Sequence, residues 1–85
     1  MVRFITFEGG DGSGKTTQLG VVQSHLRELN RPCVLTREPG GTALGRVLRK
    51  VLLEAGDQEI AEPGALLLYL ADRAQHVKEV VAPAL

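Results

Sequence analysis

The stretch FEGGDGSGKTTQ, residues Phe7–Gln18, decides how the rest of the chain is read. An apolar run precedes it and a helix-like pattern follows. Within it GGDGSGKT, Gly9–Thr16, fits the spacing G-x-x-x-x-G-K-[ST]. That spacing has a mechanical reason. Glycines let the loop turn back with its amide hydrogens inward and no side chain blocking a phosphate. The N-terminus of the following helix adds partial positive charge. Lys15 then reaches the β- and γ-phosphates of a nucleoside triphosphate, and Thr16 offers a hydroxyl to Mg2+. The nucleotide-binding set is Gly9, Gly10, Asp11, Gly12, Ser13, Gly14, Lys15, Thr16 and Thr17. The plainer alternative is a glycine-rich turn with an exposed lysine. At average composition the motif arises on the order of once in tens of thousands of positions.

Outward from the loop, Val2–Phe7 is β-branched and aromatic and predicts a short buried strand. Leu19, Val22, Leu26 and Leu29 recur at three and four and predict a helix over Thr16–Asn30. Asn30 is its expected left-handed cap, and Pro32 prevents continuation. CVLT, Cys33–Thr36, predicts a second strand, and its cysteine reads as a buried structural thiol. Strand, crossover helix and strand form a βαβ unit with parallel strands. Thr42 suits the cap of a second helix striped by Leu44, Val47, Leu48, Val51 and Leu52 and stopped by Gly56. Pro63 suits the first turn of a third helix running to about Ala82, before Pro83. The expected fold is α/β, a P-loop NTPase seen as its N-terminal βαβ-α-α part. Two parallel strands leave two open edges beside apolar helices. Residues 1–85 therefore read as the N-terminal part of a longer single domain, with a small domain completed by oligomerisation as the alternative.

The bulk numbers bound the function. Eighty-five residues allow one small domain. Ten basic residues balance ten acidic ones, which argues against a general nucleic-acid surface. One cysteine excludes an intramolecular disulfide. No stretch reads as a signal peptide or is long enough to span a membrane, so the expected compartment is the cytoplasm.

Further residues point to a second ligand. Asp11, awkward beside triphosphate, reads as facing a ligand hydroxyl or as a turn-stabilising side chain. REPGGT follows the second strand at the sheet edge where ligands of open α/β sheets bind. Arg37 there suits a phosphate, or an ion pair with a nearby carboxylate. Glu38 either orients such an arginine or is solvated. Arg46 and Arg49 lie three apart on the second helix, ordinarily a solvated face. In LLLYLADRAQHV, Tyr69, Arg73 and His76 share one stripe. A ring and a guanidinium on one face hold a flat base, or else are a core aromatic and a surface arginine. His76 alone reads as structural, with Asp72 able to pair with it at i,i+4.

Taken together, FEGGDGSGKTTQ, REPGGT and LLLYLADRAQHV resemble thymidylate (dTMP) kinases over nearly the whole chain, in order. The resemblance implies ATP- and Mg2+-dependent phosphorylation of dTMP by the longer parent protein, as a homodimer. It implies Asp11 at the 3′-hydroxyl of dTMP and Arg37 on its phosphate, with Glu38 nearby. It places Arg49 at the nucleotide, Arg73 on the thymine and Tyr69 stacked on the ring, where the family often has Phe. Lys15 and Arg37 become the catalytic pair, and Thr16 the metal contact. Position 12 is Gly, where some members carry arginine; those without it usually supply a basic residue from a lid. The lid, the Asp-Arg motif of the third strand and the later strands have no counterpart in these residues. Rival readings are another nucleoside monophosphate kinase, a switch or motor NTPase, and a phosphate-binding interaction module without kinase activity.

Overall fold

A computed structural model describes residues 3–10, 12, 14–53 and 59–85. The chain divides into two compact units, Met1–Leu35 and Thr36–Leu85. The first carries helix α1, Lys15–Glu28. The second carries α2, Ala43–Leu53, and α3, Glu62–His76.

Helix α1 begins at Gly14, whose φ of 83° is left-handed, so no side chain caps it. Its half-buried apolar residues are Leu19, Val22 and Leu26, the expected face, while Leu29 is exposed. Its end is a Schellman turn. Asn30 has φ 56°, the Arg31 amide donates to Leu26 O at 2.9 Å, and the Asn30 amide donates to Arg27 O at 3.0 Å. Asparagine tolerates this backbone because its short polar side chain lowers the cost of the left-handed region.

The expected βαβ unit is not seen among the described residues. Residues 3–10 and 31–37 carry no regular structure, and there is no strand among the described residues. Val2, where the first strand was expected to start, lies outside them, as do Asp11, Ser13 and Gly56. The physical reason is that parallel strands are stabilised by burial on both faces and by neighbours on both edges. Here Phe4, Ile5, Val34 and Leu35 are each more than half exposed. Cys33 shares that fate: it is exposed, not buried, because no sheet covers it.

In the second unit α2 packs against α3. Thr42 caps α2 as expected: its Oγ1 accepts the Gly45 amide at 2.8 Å, and the residue is buried. Only part of the apolar stripe of α2 is covered. Leu48 and Leu52 are half-buried beside buried Gly45, while Leu44, Val47 and Val51 stay exposed. Helix α3 turns the inverse way from its composition. Asp72 and His76 are buried, whereas Leu66, Leu67 and Leu70 face solvent. No large hydrophobic side chain is buried among the described residues; the interior of this unit is polar.

The third helix also runs past its expected end. A π-helical stretch, Val77–Val81, follows α3 without a break, and a last turn, Ala82–Ala84, contains Pro83. The Ala82 amide reaches back to Val77 O. Proline has no amide hydrogen, and its ring crowds the carbonyl four residues back. A wider turn just upstream lets the helical path continue through it.

Candidate functional site

The first candidate site is the loop leading into α1. Lys15 Nζ donates to Gly9 O at 3.1 Å, so the lysine closes the loop on its own first residue. Gly12 at φ 79° and Gly14 at φ 83° make the left-handed bends that bring the chain round. A Cβ added at Gly10, Gly12 or Gly14 would meet nothing within 4 Å. Thr16 and Thr17 follow Lys15 in the first turn of α1, exposed. The residues fit a nucleoside triphosphate: Gly9–Thr17 would hold its phosphates, with Lys15 releasing Gly9 O for a stronger acceptor. The Thr16 hydroxyl is a hard oxygen donor of the kind Mg2+ takes beside phosphate oxygens. No cluster of three His, Cys, Asp or Glu able to hold a metal occurs among the described residues.

The second site is built on residues 36–41, α2 and α3. Glu38 is its hub. Its Oε1 accepts from Arg73 Nε at 2.9 Å and Arg73 Nη2 at 2.7 Å. Its Oε2 meets His76 Nδ1 at 2.7 Å, and His76 Nε2 meets Thr36 Oγ1 at 2.7 Å. An ionised carboxylate only accepts, so Nδ1 carries the proton of that bond. Burial pushes the Glu38 carboxyl up, but the bonds from Arg73 and His76, with their charges, outweigh it. The net effect is a carboxyl held below its ordinary value of 4.5.

Around this hub the backbone is fixed by polar contacts. Asp72, only 1% exposed, accepts the Gly40 amide at 3.1 Å through Oδ1. The Glu38–Pro39 peptide is cis, and Arg49 Nη1 donates to Pro39 O at 2.8 Å. Two glycines are required for close approach. A Cβ on Gly45 would stand 2.5 Å from Asp72 Oδ1. One on Gly41 would stand 2.7 Å from Arg37 O and 2.8 Å from both His76 Cδ2 and Thr36 Oγ1.

Of the residues expected to serve a second ligand, Arg37, Glu38, Arg49 and Arg73 come together here. Arg37 is exposed and, among the described residues, makes no ion pair; its Nε and Arg49 Cδ flank Gly40. Tyr69 stands one turn before Arg73 on α3, with 42% of its surface exposed. Asp11 lies outside the described residues. Two expectations are corrected. Glu38 holds Arg73 across the unit, not its neighbour Arg37. Asp72 does not pair with His76, because the buried Gly40 amide takes Asp72 and the Glu38 carboxylate takes His76. Thr36 was passed over as the end of a strand, and nothing local distinguishes it.

Comparison with known proteins bears on both sites. A family model described as thymidylate kinase matches residues 7–85. The chain is 55% identical over 82 residues to a thymidylate kinase of Nitratidesulfovibrio vulgaris, covering 96% of this chain and 38% of that protein. It is 54% identical over 82 residues to one of Pelobacter propionicus, covering 96% and 37%. A Synechococcus thymidylate kinase is 57% identical over 84 residues, covering 96% and 39%. The chain thus spans about two fifths of the length of the curated relatives it matches.

Proposed function

The chain belongs to the thymidylate kinase family, and from that premise we propose that it is the N-terminal part of an ATP- and Mg2+-dependent dTMP kinase. The reaction is transfer of the γ-phosphoryl group of ATP to the phosphate of dTMP, giving ADP and dTDP. The single observation that carries this reading is the family match over residues 7–85, which takes in the glycine loop, REPGGT and the Tyr69–Arg73 stripe together. The parent is read as a cytoplasmic homodimer of one P-loop domain.

Phosphoryl transfer leaves a protein little covalent work; positioning and charge neutralisation carry it. Lys15 exchanges Gly9 O for β- and γ-phosphate oxygens. Amides of the Gly9–Thr17 loop would serve the same phosphates. Thr16 would hold Mg2+, which when bound would supply charge neutralisation at the phosphates. Arg37 holds the acceptor phosphate in line against the repulsion of two like-charged groups. Asp11 takes the 3′-hydroxyl and Arg49 the nucleotide, Tyr69 stacks on the base, and Arg73, held by Glu38, donates to the thymine.

The test is ADP release by the parent protein with dTMP, AMP or GMP as acceptor. Turnover with dTMP well above the other two is expected. Lys15→Ala is expected to lower it about 100-fold or more, the scale of removing one donor from developing charge. Preference for AMP or GMP would make the protein a different nucleoside monophosphate kinase. ADP release needing no acceptor would make it a switch or motor NTPase, and nucleotide binding without turnover a phosphate-binding module.

A further inference from the structure

Arg73 raises a physical question. Its side chain is 69% exposed, yet it is bound to Glu38 through two nitrogens. An exposed ion pair contributes little, and an arginine loses considerable rotamer freedom when held. A carboxylate free to rotate would not fix the plane of the guanidinium. Glu38 is not free to rotate. Its other oxygen is held by His76, whose side chain is 5% exposed. The far nitrogen of His76 is in turn held by Thr36. Gly41 packs against His76 Cδ2 and Thr36 Oγ1 so closely that no Cβ fits between them. Four side chains therefore run in series through one buried imidazole: Thr36, His76, Glu38, Arg73.

We propose that His76 is a positioning residue for the acceptor site: pinned by Thr36, it orients Glu38 so that the Nε–Nη2 edge of Arg73 is clamped and the guanidinium plane is presented to the acceptor's base. The proposal rests on the dTMP kinase reading above. The relay also explains the inverted face of α3. His76 is turned inward, where both of its ring nitrogens find partners. It joins the segment that carries Arg37, expected at the acceptor phosphate, to the helix that carries Tyr69 and Arg73, expected at the base. The imidazole is thereby one of the ties, with the Asp72–Gly40 bond, that set the separation between the two ends of the acceptor.

The two amide replacements of histidine separate this role from a merely structural one. Asparagine places its amide where the imidazole has Nδ1 and keeps a donor for Glu38. Glutamine places it where the imidazole has Nε2, keeps Thr36 and deserts Glu38. In the parent protein, His76→Gln is expected to raise the KM for dTMP about tenfold, the scale of one hydrogen bond to a charged group. It should leave kcat and the KM for ATP within about twofold, the pattern of lost uniform binding. His76→Asn, which keeps the bond to Glu38 but loses the Thr36 pin, is expected to leave the KM for dTMP about threefold above wild type, and Thr36→Val to raise it about as much. Equal KM values for dTMP in the two variants, high or low, would overturn the relay while leaving the kinase reading intact. Wild-type protein without dTMP turnover would sink the kinase reading, and the relay's role with it. Should both variants fail to fold, Thr36→Val decides. It keeps side-chain shape but removes the pin, and an unchanged KM for dTMP in it would overturn the proposal.

Discussion

Charge on a single residue, Glu38, links the second unit to pH. Its carboxyl is held below its ordinary value because the bonds and charges of Arg73 and His76 outweigh burial. A depressed carboxyl contributes stability that is fully present above its unfolded value and lost as pH falls through the folded one. The loss therefore falls below pH 4.5, the ordinary value. Arg37 and Arg49 flank Gly40 beside it, and Asp72 holds the Gly40 amide, so those groups share its surroundings. Thermal melts from about pH 7 to about pH 3 should show Tm dropping below the ordinary carboxylate range, with a shallower drop in Glu38→Gln. Parallel curves for the two proteins would show that other carboxylates carry the acid sensitivity. The Glu38–Arg73 bond was not legible from the chain. Glu38 stood beside Arg37 in sequence, and only the fold reveals that the arginine it serves lies 35 positions away.

Local chemistry made the helices readable at the scale of single elements. Asn30 and Pro32 ended α1 where expected, and the hydroxyl of Thr42 caps α2 by bonding its own neighbour three residues on. Such signals are complete within a few residues. Strands are not: Val2–Phe7 and Cys33–Thr36 have the right side chains, but a strand's hydrogen bonds belong to its neighbours. The third helix was misjudged at Pro83 for a related reason, since a π-helical stretch upstream leaves no mark in composition. Because Thr42 is buried and its oxygen is committed to the Gly45 amide, Thr42→Ala is expected to cost about 1 kcal/mol, within a range of roughly 0.5–2 kcal/mol. Urea unfolding of wild type and variant would measure it. Thr42→Ser should restore most of the loss, and no restoration would mean that the methyl group, not the cap, matters.

Across the whole molecule the contrast is between a polar interior and apolar surroundings. Asp72 and His76 are enclosed while Leu44, Val47, Leu66, Leu67 and Leu70 are not. The Glu38 cluster is thus held by hydrogen bonds within residues 36–76, and the glycine loop by the Lys15–Gly9 bond, with no buried hydrophobic residue among the described residues. The turn of the loop was readable from its spacing, because the bends at Gly12 and Gly14 and the Lys15–Gly9 bond are all local. The cluster was readable only as a list of charged residues, because its partners meet through tertiary structure. The bare apolar faces carry a calorimetric consequence. Unfolding raises heat capacity chiefly by wetting apolar surface, and an ordinary domain of this length would give about 1 kcal/mol/K. This chain, with its leucines already wet, is expected to give less than about half of that, and hence an unusually flat stability curve over temperature. Scanning calorimetry reads the value directly. The ordinary increment would mean that in solution these faces are covered, by self-association or by rearrangement, and are no longer the exposed surfaces described above.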